Sequence, residues 1–175
     1  MQTIMITGCS SGFGLETARY FLEHGWRVIA TMRVPQEGLL PASDRLRLVR
    51  LDVTSAQSIA EAIAEAGEID VLVNNAGVGM LNALEGAPRE AIANLFATNT
   101  LGTIAMTQAV IPRFRARRSG TIVNITSAVT LQPMPLLAVY TASKAAVNAF
   151  TESLALELRA FNIRVGLILP GRAPQ

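Results

Sequence analysis

A glycine-rich turn set between a β-rich run and an amphipathic helix constrains this chain more than any other feature. Thr3 to Thr7 is built of β-branched and apolar side chains. Thr7-Gly8-Cys9-Ser10-Ser11-Gly12-Phe13-Gly14 then leads into a segment with Leu15, Ala18, Phe21 and Leu22 at helical spacing. Gly25 closes that segment as a C-cap. Glycines at such a junction permit a tight turn and bring backbone N–H groups up to a pyrophosphate at a helix N-terminus. Gly8, Gly12 and Gly14 hold those places, and Ser10 and Ser11 add hydroxyl donors. The Gly-Lys-Ser/Thr ending of a P-loop is absent. Cys9 reads as a small residue filling the turn, since no base or second cysteine accompanies it.

Beyond the turn, β-rich runs keep alternating with helical ones. Strands are expected at Arg27 to Met32, Leu46 to Leu51, Asp70 to Asn74, Thr121 to Thr126 and Ile163 to Leu169. Thr54 and Gln57 have capping-box spacing for a helix whose Ile59 and Ile63 face inward. Helical patterning runs from Pro88 to about Arg118, broken near Asn99 to Gly102, and again from Leu137 to about Phe161. Apolar strands in such alternation pair in parallel through right-handed crossovers. The natural solution is an α/β fold: a Rossmann-type doubly wound sheet with strand order 3-2-1-4-5-6, in three α/β/α layers. At 175 residues, half of them apolar and few aromatic, the chain suits one such domain over 1–175.

Charge and cysteine usage narrow the partners. The net charge of +2 does not advertise a polyanion. Arg113, Arg115, Arg117 and Arg118 read as a solvated helix C-terminus, with no aromatic platform to suggest nucleic acid. Cys9 is the only cysteine, so no internal disulfide forms, and no His/Cys cluster offers a metal site. No signal-like N-terminus or apolar run of membrane-spanning length is present, so a cytoplasmic chain without membrane or nucleic-acid partners is expected. His24 lies near a helix end, in a capping or surface role.

The end of the second strand reads Ala30-Thr31-Met32-Arg33, without the acid that holds both ribose hydroxyls of NAD. Arg33 is placed to pair with a 2′-phosphate instead, which favours NADP(H) over NAD(H). Tyr140 and Lys144 are four apart at the start of the last long helix, hence on one face. A free tyrosine, with a pKa of about 10, is a poor acid/base at neutral pH, and a neighbouring ammonium stabilises its phenolate. Alone the pair would read as a solvated helix face. Ser127, just after the fifth strand, puts a hydroxyl at the carboxyl edge of the sheet, where doubly wound folds bind ligands. Thr126 and Ser143 are alternatives on position, with capping or packing the plainer reading.

With these residues in place, the chain resembles the short-chain dehydrogenase/reductase family, in the subgroup whose loop reads TGxxxGxG. The resemblance rests on Thr7 to Gly14, on NNAG at Asn74-Asn75-Ala76-Gly77, and on Asn99 and Ser127. YxxxK at Tyr140 and Lys144, and PG at Pro170-Gly171, complete it. Leu51-Asp52-Val53 is similar to the family segment that holds the adenine, with Asp52 bonding its amino group. The resemblance implies cofactor contacts from Gly8, Ser10, Ser11, Gly12, Phe13 and Gly14 in the loop. It implies others from Arg33, Asp52, Val53, Asn75, Ala76, Gly77, Tyr140, Lys144, Pro170 and Gly171. The implied roles are proton transfer by Tyr140, orientation of the substrate oxygen by Ser127, and tuning of the tyrosine and ribose binding by Lys144. Asn99 would hold a water beside Lys144. A hydride would pass between the nicotinamide and the carbinol or carbonyl carbon of an alcohol or ketone.

The loop and the Ala-Thr-Met-Arg segment look most like the steroid- and retinoid-dehydrogenase branch. Val129, Leu131, Met134, Leu136 and Leu137, between Ser127 and Tyr140, are either core or an apolar substrate wall. Family members continue past the PG motif with a loop and helix over the substrate and a last strand, so the chain reads as cut short before the segment that selects the substrate. A non-catalytic NADP(H)-binding module or inactive fragment is the alternative. An epimerase-like relative shares YxxxK but carries a TGxxGxxG loop. The resemblance also implies a homodimer through the helix leading to Arg118 and the one carrying Tyr140.

Overall fold

Strands β1 (Thr3–Ile6), β2 (Arg27–Met32), β3 (Leu46–Arg50), β4 (Val71–Asn74), β5 (Gly120–Ile125) and β6 (Ile163–Ile168) all pair in parallel. They form one sheet in the order β3-β2-β1-β4-β5-β6, as expected. The computed structural model describes residues 1–171; the expected domain 1–175 has its last four residues outside that range. The chain winds leftward from β1 to β3 and rightward from β4 to β6, so β1 and β4 flank the point where winding reverses.

Alternation along the strands sorts the core into two halves. Ile4, Ile6, Val28, Ala30 and Val73 pack on the face covered by α1 (Gly12–Glu23), through Ala18 and Leu22. Met5, Ile29, Leu72 and Ile122 point to the other face. There they meet α2 (Ala56–Ala66), α4 (Thr103–Arg117) and α5 (Ala138–Leu158). The helical stretch from Pro88 is indeed interrupted: α3 (Arg89–Phe96) passes into a π turn, Ala97–Gly102, before α4 begins.

The end of α1 follows from Phe21, Gly25 and Trp26. Gly25, at φ +82°, donates to the Leu22 carbonyl while Trp26 donates to that of Phe21. The Phe21 and Trp26 rings then meet edge to face at 5.0 Å, the hydrophobic contact of a Schellman turn. His24 is the C-cap residue, its Nδ1 2.7 Å from the Tyr20 carbonyl, in the surface role expected.

One expectation is corrected. The cap of α2 is Ser55, whose hydroxyl accepts from the Ser58 N–H, rather than the Thr54–Gln57 box. The Thr54 hydroxyl is already donated to Asp52, and the Gln57 amide reaches Glu61. The arginines at the end of α4 are exposed at a helix C-terminus, as expected, and they also bond to carbonyls on neighbouring elements. Arg113 donates to the Ile63 and Gly67 carbonyls, capping the end of α2, and Arg117 reaches the Ile69 and Ser119 carbonyls. Arg118 donates to the Ala160 carbonyl, and the Arg115 guanidinium lies 4.0 Å from the centre of the Phe161 ring. Apart from the Arg117–Ser119 bond, these contacts are between residues distant in sequence, so no local pattern announces them.

Gly120 is where the fold tolerates least. A Cβ there would stand 2.2 Å from the Phe114 ring, and Phe114 is fully buried between α4 and the sheet. Gly120→Ala should lower stability by about 1–3 kcal/mol through overpacking. Chemical denaturation checks this: a lower midpoint at unchanged slope is expected, and an unchanged midpoint would show that the ring has room to turn.

Candidate active site

A cleft of about 730 Å³ opens at the carboxyl edge of the sheet, across the reversal point between β1 and β4. Its floor is the turn after β1. Gly8, at φ +75°, passes so close to the next loop that a Cβ would lie 2.9 Å from the Ala76 Cα. Gly14, in the first turn of α1, brings the helix against the same turn; its Cβ would stand 2.2 Å from the Gly8 carbonyl oxygen and 2.4 Å from the Asn75 amide. Thr7 locks the two loops together, since its hydroxyl accepts from the N–H groups of both Asn75 and Ala76. The Asn75 side chain donates back to the Thr7 and Gly8 carbonyls. Of the loop residues expected to meet the cofactor, Gly8, Ser10, Ser11 and Phe13 line the cleft, Gly14 shapes it from behind, and Gly12 is exposed at φ +57° with open space around it. Ser11 is the N-cap of α1, yet its hydroxyl makes no capping bond, and the first turn of α1 contains no acid. Cys9 is fully buried, donates to the Ile6 carbonyl, and burial pushes its thiol up to about 12, so it is the inert filler expected.

One end of the cleft gathers Arg33, Asp52 and Val53, from the ends of β2 and β3. The Asp52 carboxylate accepts from the hydroxyl and N–H of Thr54, at 2.7 and 2.9 Å. Those bonds, helped by the charges of Arg33 and Arg50, hold it below the usual carboxylate range. Arg50 was not among the expected residues; it pairs in register with Met32 and so stands beside the start of the β2–β3 connection.

At the other end lie Ser127, Tyr140, Lys144, Gly77, Pro170 and Gly171. Lys144 is the only lysine in the chain. It is 5% exposed, its Nζ donating to the Ile125 carbonyl at 3.0 Å and standing 6.0 Å from the centre of the Tyr140 ring. The absent side chain of Gly77 leaves space between two polar groups: a Cβ would be 3.2 Å from the Lys144 Nζ and 3.3 Å from the Asn99 Oδ1. Asn99 itself is buried in the π turn rather than lining the cleft. Its Oδ1 accepts from the Val78 N–H and its Nδ2 donates to the Val78 carbonyl and the Ser143 hydroxyl. Ser143 donates to the Tyr140 carbonyl, and Thr126 to that of Ile168, consistent with packing rather than chemistry. The Ser127 hydroxyl accepts from the Val129 N–H at 3.3 Å, which leaves its proton free to donate.

Burial lowers the Lys144 ammonium from 10.5 to about 8. Because the folded value lies below the ordinary one, the unfolded chain holds more protons between about pH 8 and pH 10.5. The cost of burying the charge is therefore relieved, and stability rises, as pH climbs through that window. Acylation of a sole lysine is read unambiguously by peptide mass spectrometry, and its rate should be half-maximal near pH 8. A midpoint near 10.5 would mean that water reaches the amine freely.

Comparison with known proteins adds to this geometry. A family model described as short chain dehydrogenase matches residues 2–173. Retinol dehydrogenase 8 of Bos taurus is 42% identical over 183 residues, covering 97% of this chain and 58% of the relative. The 3-ketodihydrosphingosine reductase of Bacteroides thetaiotaomicron is also 42% identical, over 174 residues, covering 97% of this chain and 63% of the relative. The chain thus spans about three-fifths of the length of these curated relatives. Among solved structures, a closed form of serine dehydrogenase complexed with NADP+ superposes with a TM-score of 0.90 at 35% identity, covering 97% of this chain and 72% of that one.

Proposed function

This chain belongs to the short chain dehydrogenase family, and from that premise we propose that its cleft holds NADP(H) and interconverts an apolar alcohol with its carbonyl compound. The observation that carries the reading is convergence: Ser127, Tyr140 and Lys144 open into the same cleft as the glycine turn. The donor set fits a dinucleotide, with exposed Ser10 and Ser11 hydroxyls and backbone N–H groups for phosphates at an acid-free helix start. Bound there, NADP(H) supplies or accepts the hydride. The chain's own groups manage the proton and the geometry. In reduction, the Tyr140 hydroxyl gives its proton to the substrate oxygen, and in oxidation it takes that proton back. The Ser127 hydroxyl orients the oxygen. The Lys144 charge favours the phenolate that remains on Tyr140, and its amine is placed to grip a ribose. Asn99 fixes Val78 and Ser143, and so holds the walls on either side of Lys144.

An apolar substrate is supported by the two loops that leave the cleft after Gly79 and after Ser127. Leu131, Met134 and Leu136, after Ser127, are exposed rather than core, as are Leu81 and Leu84 on the facing loop. The two loops meet where the Asn82 N–H donates to the Leu136 carbonyl. The named substrates of the similar proteins, retinol and 3-ketodihydrosphingosine, point the same way. NADP(H) is favoured over NAD(H) because β2 ends without an acid and Arg33 faces the cleft. A homodimer through α4 and α5 belongs to the same reading, with Leu156 exposed on α5. NADPH oxidation against a panel of long-chain and polycyclic aldehydes and ketones tests the activity. Binding of NADPH without reduction of any of them would instead support a non-catalytic binding module.

A further inference from the structure

We infer that Gly102, at the end of the π turn, is a positioning residue for the adenine half of the cofactor and acts through Val53. The inference rests on the NADP(H) reading above. Gly102 has φ −62° and ψ −42°, an ordinary helical conformation that any residue adopts. Glycine is among the least favourable residues inside a helix, so backbone freedom does not account for it. Close approach does. A Cβ on Gly102 would stand 2.7 Å from the Val53 Cγ2, 3.0 Å from its Cβ and 3.1 Å from its carbonyl oxygen.

Neither partner can retreat easily. The π turn is pinned on its catalytic side, where Asn99 bonds both backbone groups of Val78 and the Thr100 hydroxyl donates to the Ser143 carbonyl. The loop carrying Val53 is tied to α2, because the Asp52 N–H donates to the Ser58 hydroxyl and the Ser55 N–H to the Asp52 carbonyl. Val53 lines the cleft between Asp52 and Thr54, so its open side is the cleft itself. An added methyl on Gly102 pushes Val53 into the space the adenine needs. One π turn thereby sets the wall of the adenine pocket and holds Asn99 behind Lys144, which fixes the distance between the two ends of the dinucleotide site.

The test measures, on the full chain, dissociation constants for NADPH, for adenosine 2′,5′-bisphosphate as the adenine half, and for reduced nicotinamide mononucleotide as the other half. Gly102→Ala should weaken NADPH and the bisphosphate by about tenfold each, the scale of a modest overpacking, and leave the mononucleotide unchanged. Adding Val53→Ala removes the Cγ2 methyl, the nearest of the three atoms and the one under 3.0 Å, so the double variant should bind the bisphosphate nearly as well as Val53→Ala alone does. Should Gly102→Ala fail to fold, that last comparison decides the matter by itself. Unchanged bisphosphate binding in Gly102→Ala, equal losses for both halves, or a double variant that stays weak would each overturn the inference. Wild-type chain that bound no NADPH would overturn the cofactor reading and this inference together, whereas a binding wild type with an unaffected variant would overturn this inference alone.

Discussion

Replacing Tyr140 with Phe should cut carbonyl reduction by about 10²- to 10⁴-fold, the range that a positioned general acid contributes, while NADPH binds as before. The substitution removes one oxygen and little else. Tyr140 sits in the first turn of α5, where its backbone carbonyl is held by the Ser143 hydroxyl and not by its own phenol. The helix and the cleft wall therefore survive the change. What disappears is the phenol that opens into this end of the cleft beside a buried ammonium, with the Lys144 Nζ 6.0 Å from the ring centre. Ser127 cannot take over, because an alkyl hydroxyl without an adjacent base is too weak an acid to lose its proton here. The pH profile of the wild type should agree. Below about pH 8 Lys144 carries its charge and favours the phenolate that reduction leaves behind; above it that support fades, and reduction slows. Stopped-flow single turnovers with NADPH already bound isolate the step. A Phe variant that reduced carbonyls at the wild-type rate would remove Tyr140 from the chemistry, whatever the geometry suggests.

Much of this was legible in the chain because the fold is written in local terms. Continuous apolar strands, each followed by a helical period, leave few arrangements other than a doubly wound sheet, and the strand limits differ by a residue or so from those found. The interruption near Asn99 was visible as a lapse in helical pattern. That it is a π turn was not visible, because its geometry depends on bonds from Asn99 and Thr100 to Val78 and Ser143, far off in sequence. The same limit explains the arginines of α4, whose partners include carbonyls on α2, just before β4 and just after α5. It also explains a polar ladder through the core. The Asn74 amide donates to Thr107 and Asn124, and Asn124 to Thr151, joining α4, β4, β5 and α5. Asn74 and Asn124 are register partners, which only the strand pairing reveals. Asn75 is the instructive case within the site. The motif marks it for the cofactor, while the structure commits its amide to the Thr7 and Gly8 carbonyls, where it ties the turn to the loop after β4.

Arg33→Glu should reverse the cofactor preference, moving the ratio of kcat/KM for NADPH over NADH by about 10²- to 10³-fold. A charge-assisted contact to phosphate contributes roughly 1.5–3 kcal/mol. The new carboxylate both removes that contact and repels the 2′-phosphate, while it offers an acceptor to the two ribose hydroxyls of NADH. Arg33 follows directly on β2 and faces the cleft without a carboxylate bonded to it among the described residues. The swing should stop short of complete, because Arg50 stands at the register partner of Met32 and keeps a second positive charge near the same place. Salt separates this electrostatic account from a change in shape. Arg33 is solvent-exposed, so the wild-type preference for NADPH should shrink as ionic strength rises and the screening length falls to a few ångströms. In the Glu variant the residual discrimination against NADPH should shrink likewise, since repulsion is screened by the same ions. A preference that ignored both the substitution and the salt would mean that the 2′-phosphate lies elsewhere, and Arg50 would be the next residue to change.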